Sequence, residues 1–160
     1  MDKRLYRPLA ALALLCGLGT PPSWADSPTV GGSQDPCTYL KKSSIPISVA
    51  ASGTTLAGPA LAAGQTVYVC AATLTIGSSA TSAATAQFIG GTGAVCGTPT
   101  GNLTGALGAE VATANLPVAV TLGDGGATVF AAPVSNAVCL VAAGTTVAIA
   151  GVVSYVQTAN

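Results

Sequence analysis

The chain has 160 residues, half of them hydrophobic and none of them histidine, and its five basic and five acidic residues leave a formal net charge of zero at pH 7. That length suits a single domain with a modest core. Only 6% of the residues are charged, too few lysines and arginines for the basic surface that binding along a phosphate backbone needs, so a nucleic-acid partner is excluded.

In chain order, the first element is a targeting segment. Lys3, Arg4 and Arg7 precede an apolar run from Leu9 to Leu18, and Thr20-Pro21-Pro22 breaks that run ahead of Ser23-Trp24-Ala25. These are the three parts of a secretory signal peptide spanning residues 1–25, with cleavage between Ala25 and Asp26. The apolar run falls short of the ~20 residues that cross a bilayer, which argues against a retained membrane span. Cys16 raises the alternative of a lipid-modified cysteine. Leu15, however, stands where bacterial lipoprotein signals carry a small residue. Without the signal, Lys41 and Lys42 face Asp26, Asp35, Glu110 and Asp124, a net charge of −2.

Residues 26–43 read as an N-terminal extended segment in which Lys41-Lys42-Ser43-Ser44 is solvated, and residues 44–160 as the β-domain. From there the periodicity is that of strands: 45–50, 66–76, 84–90, 116–122, 127–132, 137–142 and 145–157 are rich in Val, Ile, Thr and aromatics, with Gly, Pro, Asn or Asp between them. The alanines do not make helices, because Thr, Val and Gly are interleaved with them and no amphipathic stripe follows a cap. The pattern predicts an all-β fold, an antiparallel, jelly-roll-like β-sandwich of about seven to eight short strands. The segments 61–69 and 141–149 share Ala-Ala-Gly-x-Thr-Val, and both place a glycine, Gly64 or Gly144, at a turn entering a Val-rich strand.

Two stretches invite a functional reading. "FIGGTGAVCGT" (88–98) has the look of a phosphate loop, but Cys96 stands where a dinucleotide fingerprint needs its third glycine. No basic residue follows Lys42 to complete a Walker loop, so these glycines read as a loop or wide hairpin tied down by Cys96. "LGDGGATVF" (122–130) offers Asp124, and Asp-Gly between strand-like runs reads as a tight hairpin turn rather than a calcium site. Asp35 and Glu110 are equally isolated, which leaves a glycoside hydrolase without a recognisable acid pair. With no histidine, the hydroxyls lack their usual base, and no catalytic residue, metal site or cofactor is expected. Asn102-Leu103-Thr104 matches the N-glycosylation pattern, meaningful only in a host that glycosylates.

Four cysteines follow the signal: Cys37, Cys70, Cys96 and Cys139. Their even number in an exported chain predicts two disulfides, and their dispersal without a C-x-x-C pair argues against zinc. Three pairings are open. Cys70 and Cys139 both lie in strand-like runs and Cys37 and Cys96 both in turns, which favours Cys70 with Cys139 and Cys37 with Cys96.

Tyr68-Val69-Cys70, Ala86-Gln87-Phe88, Gly91-Thr92-Gly93 leading to Cys96, Leu122-Gly123-Asp124-Gly125, Asn136-Ala137-Val138-Cys139-Leu140 and Tyr155-Val156-Gln157 together give residues 35–157 a recognisable cast. The stretch resembles small Ala/Gly/Thr-rich β-domains of uncharacterised bacterial secreted proteins and of virion-associated proteins of tailed phages. The resemblance implies a structural or exposed β-sandwich module with no catalytic residues to carry over. A signal peptide is out of place in a particle protein assembled in the cytoplasm, which points to the secreted relatives.

The function expected from these observations is a secreted or cell-surface structural protein that self-associates or adheres to an extracellular partner. Its alternative is a small ligand- or carbohydrate-binding module, against which the five aromatics after the signal, Tyr39, Tyr68, Phe88, Phe130 and Tyr155, fall mostly in strand-like runs that read as core and the stacking Trp leaves with the signal; a hydrolase ranks last. A membrane β-barrel is disfavoured by short strands and by an ending, Thr158-Ala159-Asn160, without a terminal aromatic. The last strand carries the case for association. Val147, Ile149, Val153 and Tyr155 fall on one face and Ala148, Ala150, Val152 and Val156 on the other, so that Ser154 alone interrupts the second face. Val152, Ser154 and Val156 therefore form the expected self-association face. Amino-terminal analysis of the exported protein is expected to read Asp26-Ser27-Pro28; a mature chain that retains residues 9–18 would refute the cleavage.

Overall fold

The structure is a computed structural model and describes residues 34–60, 63–77, 83–109 and 117–159. The signal segment, the cleavage point at Ala25 and Asp26, and Glu110 lie outside the described residues. Among those described, a compact unit runs from Gln34 to the C-terminal end.

Its elements are a single helical turn, α1 (Pro36–Tyr39), and ten strands: β1 (Ser43–Val49), β2 (Gly53–Leu56), β3 (Gln65–Gly77), β4 (Ala84–Thr92), β5 (Thr98–Asn102), β6 (Leu107–Ala109), β7 (Val118–Leu122), β8 (Phe130–Ala131), β9 (Ala137–Ala143) and β10 (Ala148–Ala159). A 3-10 turn, Ala94–Cys96, separates β4 from β5. All pairings are antiparallel. The first sheet has the order β1-β10-β3-β7 with β8 also on β3, and the second β2-β9-β4-β5 with β6 also on β4.

Ten strands occupy eight lines. β7 and β8 follow one another along the same edge of β3, opposite Ala72–Ile76 and then Tyr68–Val69, and β5 and β6 do the same along β4. Two four-line sheets in the orders β1-β10-β3-β7 and β2-β9-β4-β5 have the connectivity of a jelly roll. The expected fold class is therefore correct, and the strand number is ten because the outer line of each sheet is broken. One consequence corrects the reading of Asp124. Since β7 and β8 run in the same direction along β3, residues 123–129 are an excursion from an edge strand and not a hairpin turn.

The cause of that excursion lies in β3. Opposite β10, Ala71 pairs with Ser154 and Val69 with Tyr155, so Cys70 is the extra residue of a β-bulge. Before it Val67 and Val69 face the core, and after it Ala72, Leu74 and Ile76 do. The bulged carbonyl of Cys70 accepts from the N–H of Gly125 at 3.2 Å, which holds the loop against it. Gly123 (φ 66°) lies so close that a Cβ there would come within 2.7 Å of the same carbonyl oxygen. Gly64 (φ 72°) and Gly144 (φ 139°) do turn the chain into β3 and toward β10 with left-handed backbone, as their shared motif suggests.

Between the sheets, Phe88, Leu74, Ile76, Leu140, Ile149 and Val153 form the bulk of a core completed by alanines 57, 72, 84, 86, 132 and 142. Phe88 is fully buried and stacks obliquely on Phe130, ring centroids 5.2 Å apart. Alternation is regular: Val138, Leu140 and Ala142 of β9 face inward, and Ala137, Cys139 and Val141 face out. The edge lines carry no lysine. They are blunted instead by Pro46 in β1, Pro99 in β5, the four-residue length of β2 and the break between β7 and β8.

Gly91 permits the 3-10 turn to lie on the second sheet. A Cβ at 91 would stand 2.6 Å from the Cβ of Cys96 and 3.0 Å from the carbonyl oxygen of Thr98. Gly91→Ala is accordingly expected to destabilise the fold by ~1–3 kcal/mol, the usual range for forced overpacking. Gly101→Ala, where a Cβ meets nothing within 4 Å, is expected to change little. Urea denaturation of both variants checks the difference.

Candidate interaction surface

The two disulfides shape the outer surfaces. They join Cys37 to Cys70 and Cys96 to Cys139. The pairing expected from local context, Cys70 with Cys139 and Cys37 with Cys96, is thus incorrect. Strand-like and turn-like cysteines are paired with each other because each bond pins a turn onto the outside of a strand. Neither bond crosses the core. With sequence separations of 33 and 43, each stabilises the fold by about 4 kcal/mol through the unfolded chain.

The first clamp holds α1 on the outer side of the first sheet, where Cys37, Cys70 and Val156 form a small buried cluster flanked by Tyr68. Asp35 is the cap. Its carboxylate accepts from the Cys37 N–H at 2.9 Å, with Pro36 at the first helical position, and also from the Thr128 N–H at 2.7 Å and hydroxyl at 2.6 Å. Thr38 donates its hydroxyl to the carbonyl of Gly126 at 3.1 Å. The role of Asp35 is structural: it ties α1 to the 123–129 excursion. The residues just before β1, expected to be extended, supply this turn.

The second clamp holds the 3-10 turn over Ile89, Ala137 and Cys139 on the outer side of the second sheet. Val95 (φ 50°) and Cys96 (φ 52°) are both left-handed there, a conformation that costs a residue with a side chain about 1–2 kcal/mol. The glycine-rich stretch that resembles a phosphate loop is thus a hairpin, β4 to β5, closed by Cys96 as the sequence suggests. Asn102 is exposed in β5, and Thr104 accepts from the Phe88 N–H with its hydroxyl at 3.1 Å.

Outside the clamps, one surface stands open. β10 lies inside the first sheet, between β1 and β3, so its outward residues sit mid-face. Val152 is 43% exposed in a cross-strand row Pro46–Val152–Thr73–Thr121. The rows on either side carry only Ser, Thr and Ala, and Ser44 and Ser154 bond to each other at 3.1 Å. Of the three residues expected to form the association face, Val152 and Ser154 lie on this surface. Val156 does not: α1 covers it and leaves it 3% exposed.

Charge is segregated. Among the described residues the charged side chains are Asp35, Lys41, Lys42 and Asp124, and all four belong to α1, its link to β1 or the 123–129 excursion, at one end of the first sheet. At the opposite end of the same face, Ala148 pairs with Gly77 and a shallow depression of about 360 Å³ opens among Ser48, Thr75, Gly77, Ala148, Ala150 and Pro117. Of the aromatics after the signal, Phe88 is buried, Tyr68, Phe130 and Tyr155 are half-buried, and Tyr39 of α1 is 54% exposed. The described residues contain no group of three or more metal-ligating side chains and no helix long and apolar enough to cross a membrane.

This arrangement defines the chain as a disulfide-clamped, all-β jelly-roll module. Comparison with family models, with curated proteins and with solved structures finds no match.

The hydrogen bonds from Thr128 lower the Asp35 pKa below the ordinary aspartate value of 3.8, with smaller help from the Cys37 N–H and the Lys42 charge. A folded pKa below the unfolded one means that the carboxylate's contribution is present above the unfolded value and is lost as pH falls through the folded one. The Thr128 amide resonance is expected to shift in step with that protonation at acid pH, below 3.8. In Asp35→Asn the low-pH transition disappears and Thr128 exchanges faster at all pH values.

Proposed function

We propose that this chain is a structural module of an oxidising, extracytoplasmic compartment that associates with copies of itself through an uncharged sheet face. The observation that carries the proposal is that the charged side chains among the described residues all lie at one end of the first sheet, with an open face of Val, Pro, Ser, Thr and Ala beside it. A lone soluble domain ordinarily disperses charges of both signs over its surface. Two disulfides support the compartment, since such bonds persist where thiols are not kept reduced. The sequence resemblance to exposed bacterial and phage β-domains belongs to the same proposal.

Blunted edges direct the association. Edge-to-edge pairing is opposed by Pro46, Pro99 and the broken outer lines, which leaves faces as the contact. A non-catalytic role fits a chain without histidine, whose best-placed carboxylate, Asp35, is occupied in capping. Carbohydrate recognition is the weaker alternative, because among the described residues Tyr39 is the one exposed ring where a sugar platform uses several.

Sedimentation of the mature protein at tens of micromolar is expected to show species larger than the monomer. Because no charges meet across the contact, the distribution should hold between about 0.05 and about 0.5 M salt, over which the screening length falls severalfold. Negative-stain microscopy distinguishes discrete particles from filaments. A single monomeric species throughout would end the proposal.

A further inference from the structure

We infer that the Cys96–Cys139 bond is a reducible latch. A dithiol opens it in the folded protein while Cys37–Cys70 stays closed, and its opening lifts the turn 93–97 from the second sheet and uncovers the cross-strand row Leu56–Cys139–Ile89.

The two bonds are nearly alike in burial and in loop length. Cys37, Cys70 and Cys139 are fully buried and Cys96 is 3% exposed, so a reductant meets a sulfur only after a turn has moved. The loops have sequence separations of 33 and 43, which changes the closure entropy by a factor of about 1.5, too little to rank the bonds. The difference lies in what else holds each turn down.

α1 is held without its sulfur. Asp35 accepts from the N–H and the hydroxyl of Thr128, and Thr38 donates to the Gly126 carbonyl. Were Cys37–Cys70 broken, those bonds would keep its two thiols facing each other, and a pair held in contact recloses readily. The turn 93–97 has no such second hold. Its side chains are those of Gly, Ala, Val, Cys and Gly, so sulfur is its one side-chain group able to bond to the sheet. The backbone bond from the Gly97 N–H to the Ala94 carbonyl, 3.0 Å, is internal to the turn. β4 and β5 stay paired as far as Thr92–Thr98, which confines the movement to the five residues between them.

Strain acts in the same direction. Val95 (φ 50°) and Cys96 (φ 52°) are consecutive residues with side chains in the left-handed region, and for β-branched Val95 that is an outlier. The cost is borne while the turn is pressed to the sheet and is relieved when the bond breaks. How closely it is pressed shows at Gly91, where a Cβ would stand 2.6 Å from the Cβ of Cys96.

The exchange balances with a dithiol as the reductant. One of its thiolates attacks Sγ of Cys96, which rides on the movable turn; the S–S bond breaks and Cys139 leaves as a thiolate that takes up a proton. The second thiol of the reductant then attacks the mixed disulfide and expels Cys96 as a thiol. Two electrons and two protons have passed to the protein, and the dithiol has become a disulfide. Cys139 stays in β9 between Leu56 of β2 and Ile89 of β4, with Ala137 on the same face. Lifting the turn therefore leaves an apolar row with a thiol at its centre.

The test is titration of the exported, oxidised protein with dithiothreitol at neutral pH, followed by acid quench, alkylation and peptide mapping of the four cysteines. Cys96 and Cys139 are expected to be labelled together, at a dithiothreitol concentration roughly tenfold below that which labels Cys37 and Cys70. Far-UV circular dichroism should stay native at that point, and the fluorescence of a hydrophobic dye should rise as Cys96 becomes labelled. Asparagine accepts left-handed backbone more readily than valine, so Val95→Asn is expected to raise the first midpoint about threefold to tenfold. Earlier labelling of Cys37 and Cys70, opening of both bonds in one step with loss of the native spectrum, or no opening short of denaturation overturns the latch. A first midpoint that a folded Val95→Asn leaves unmoved overturns the strained turn as its gate. First labelling of Cys96 and Cys139 with no rise in dye fluorescence overturns the uncovering of the row. Should the variant not fold, the wild-type titration decides by itself.

Discussion

The constraint on which this fold rests is the small size of its interior side chains. Phe88 is the largest residue buried without remainder, and six alanines sit among the valines and leucines between the sheets. An alanine buries little apolar surface, at roughly 25 cal/mol per Å², while fixing its backbone costs as much conformational entropy as for any other residue. The core alone is thus weak for its length. The two covalent clamps offset that weakness by restricting the unfolded chain, and they do so without crossing the core, each adding a satellite cluster on the outside of a sheet.

The placement of the clamps decides what the surface can do. One turn covers the far end of the first sheet and the other covers part of the second, so that what stays uncovered is the middle of the first sheet. That middle is made of the smallest residues with β propensity and of Val152. Scarcity of charge, which looks in the composition like a deficit spread over the whole chain, is in three dimensions a sharp division: a charged end built from α1 and the 123–129 excursion, and a neutral remainder among the described residues.

The sheets were legible in the sequence because they obey period two. The strands at 66–76, 84–90 and 137–142 and the final strand are found within a few residues of their expected places, and the glycine-rich stretch after β4 is a hairpin held by Cys96. β2, β5 and β6 were not legible, since Gly-Thr-Thr-Leu and Thr-Pro-Thr-Gly-Asn carry no apolar alternation and owe their pairing to β9 and β4. The α1 turn was also hidden. Asp35 before Pro36 is a cap signal, but four residues give no helical stripe to confirm it. The bulge at Cys70, a change of phase between Val67, Val69 and Ala72, Leu74, was not read from the sequence, because residues 66–76 are apolar enough throughout to pass for one regular strand. Disulfide pairing lay out of reach because local context says nothing about which strand a turn folds back upon, and Val156 was misplaced for the same reason.

The route of the Cys37–Cys70 bond has a mechanical consequence. A pull on the chain upstream of Cys37 passes through the sulfurs directly to the bulge of β3, and residues 38–69, including β1 and β2, hang as a closed loop that bears none of it. From β3 the load crosses to β10, its antiparallel neighbour in twelve register pairs from Ala148–Gly77 to Ala159–Gln65 on either side of the Cys70 bulge, and leaves along β10 toward its C-terminal end. Those backbone bonds lie across the direction of pull and are loaded in shear, all together, rather than peeled open one at a time. The weak interior is not on that path, so a molecule with a modest core still transmits tension between its ends.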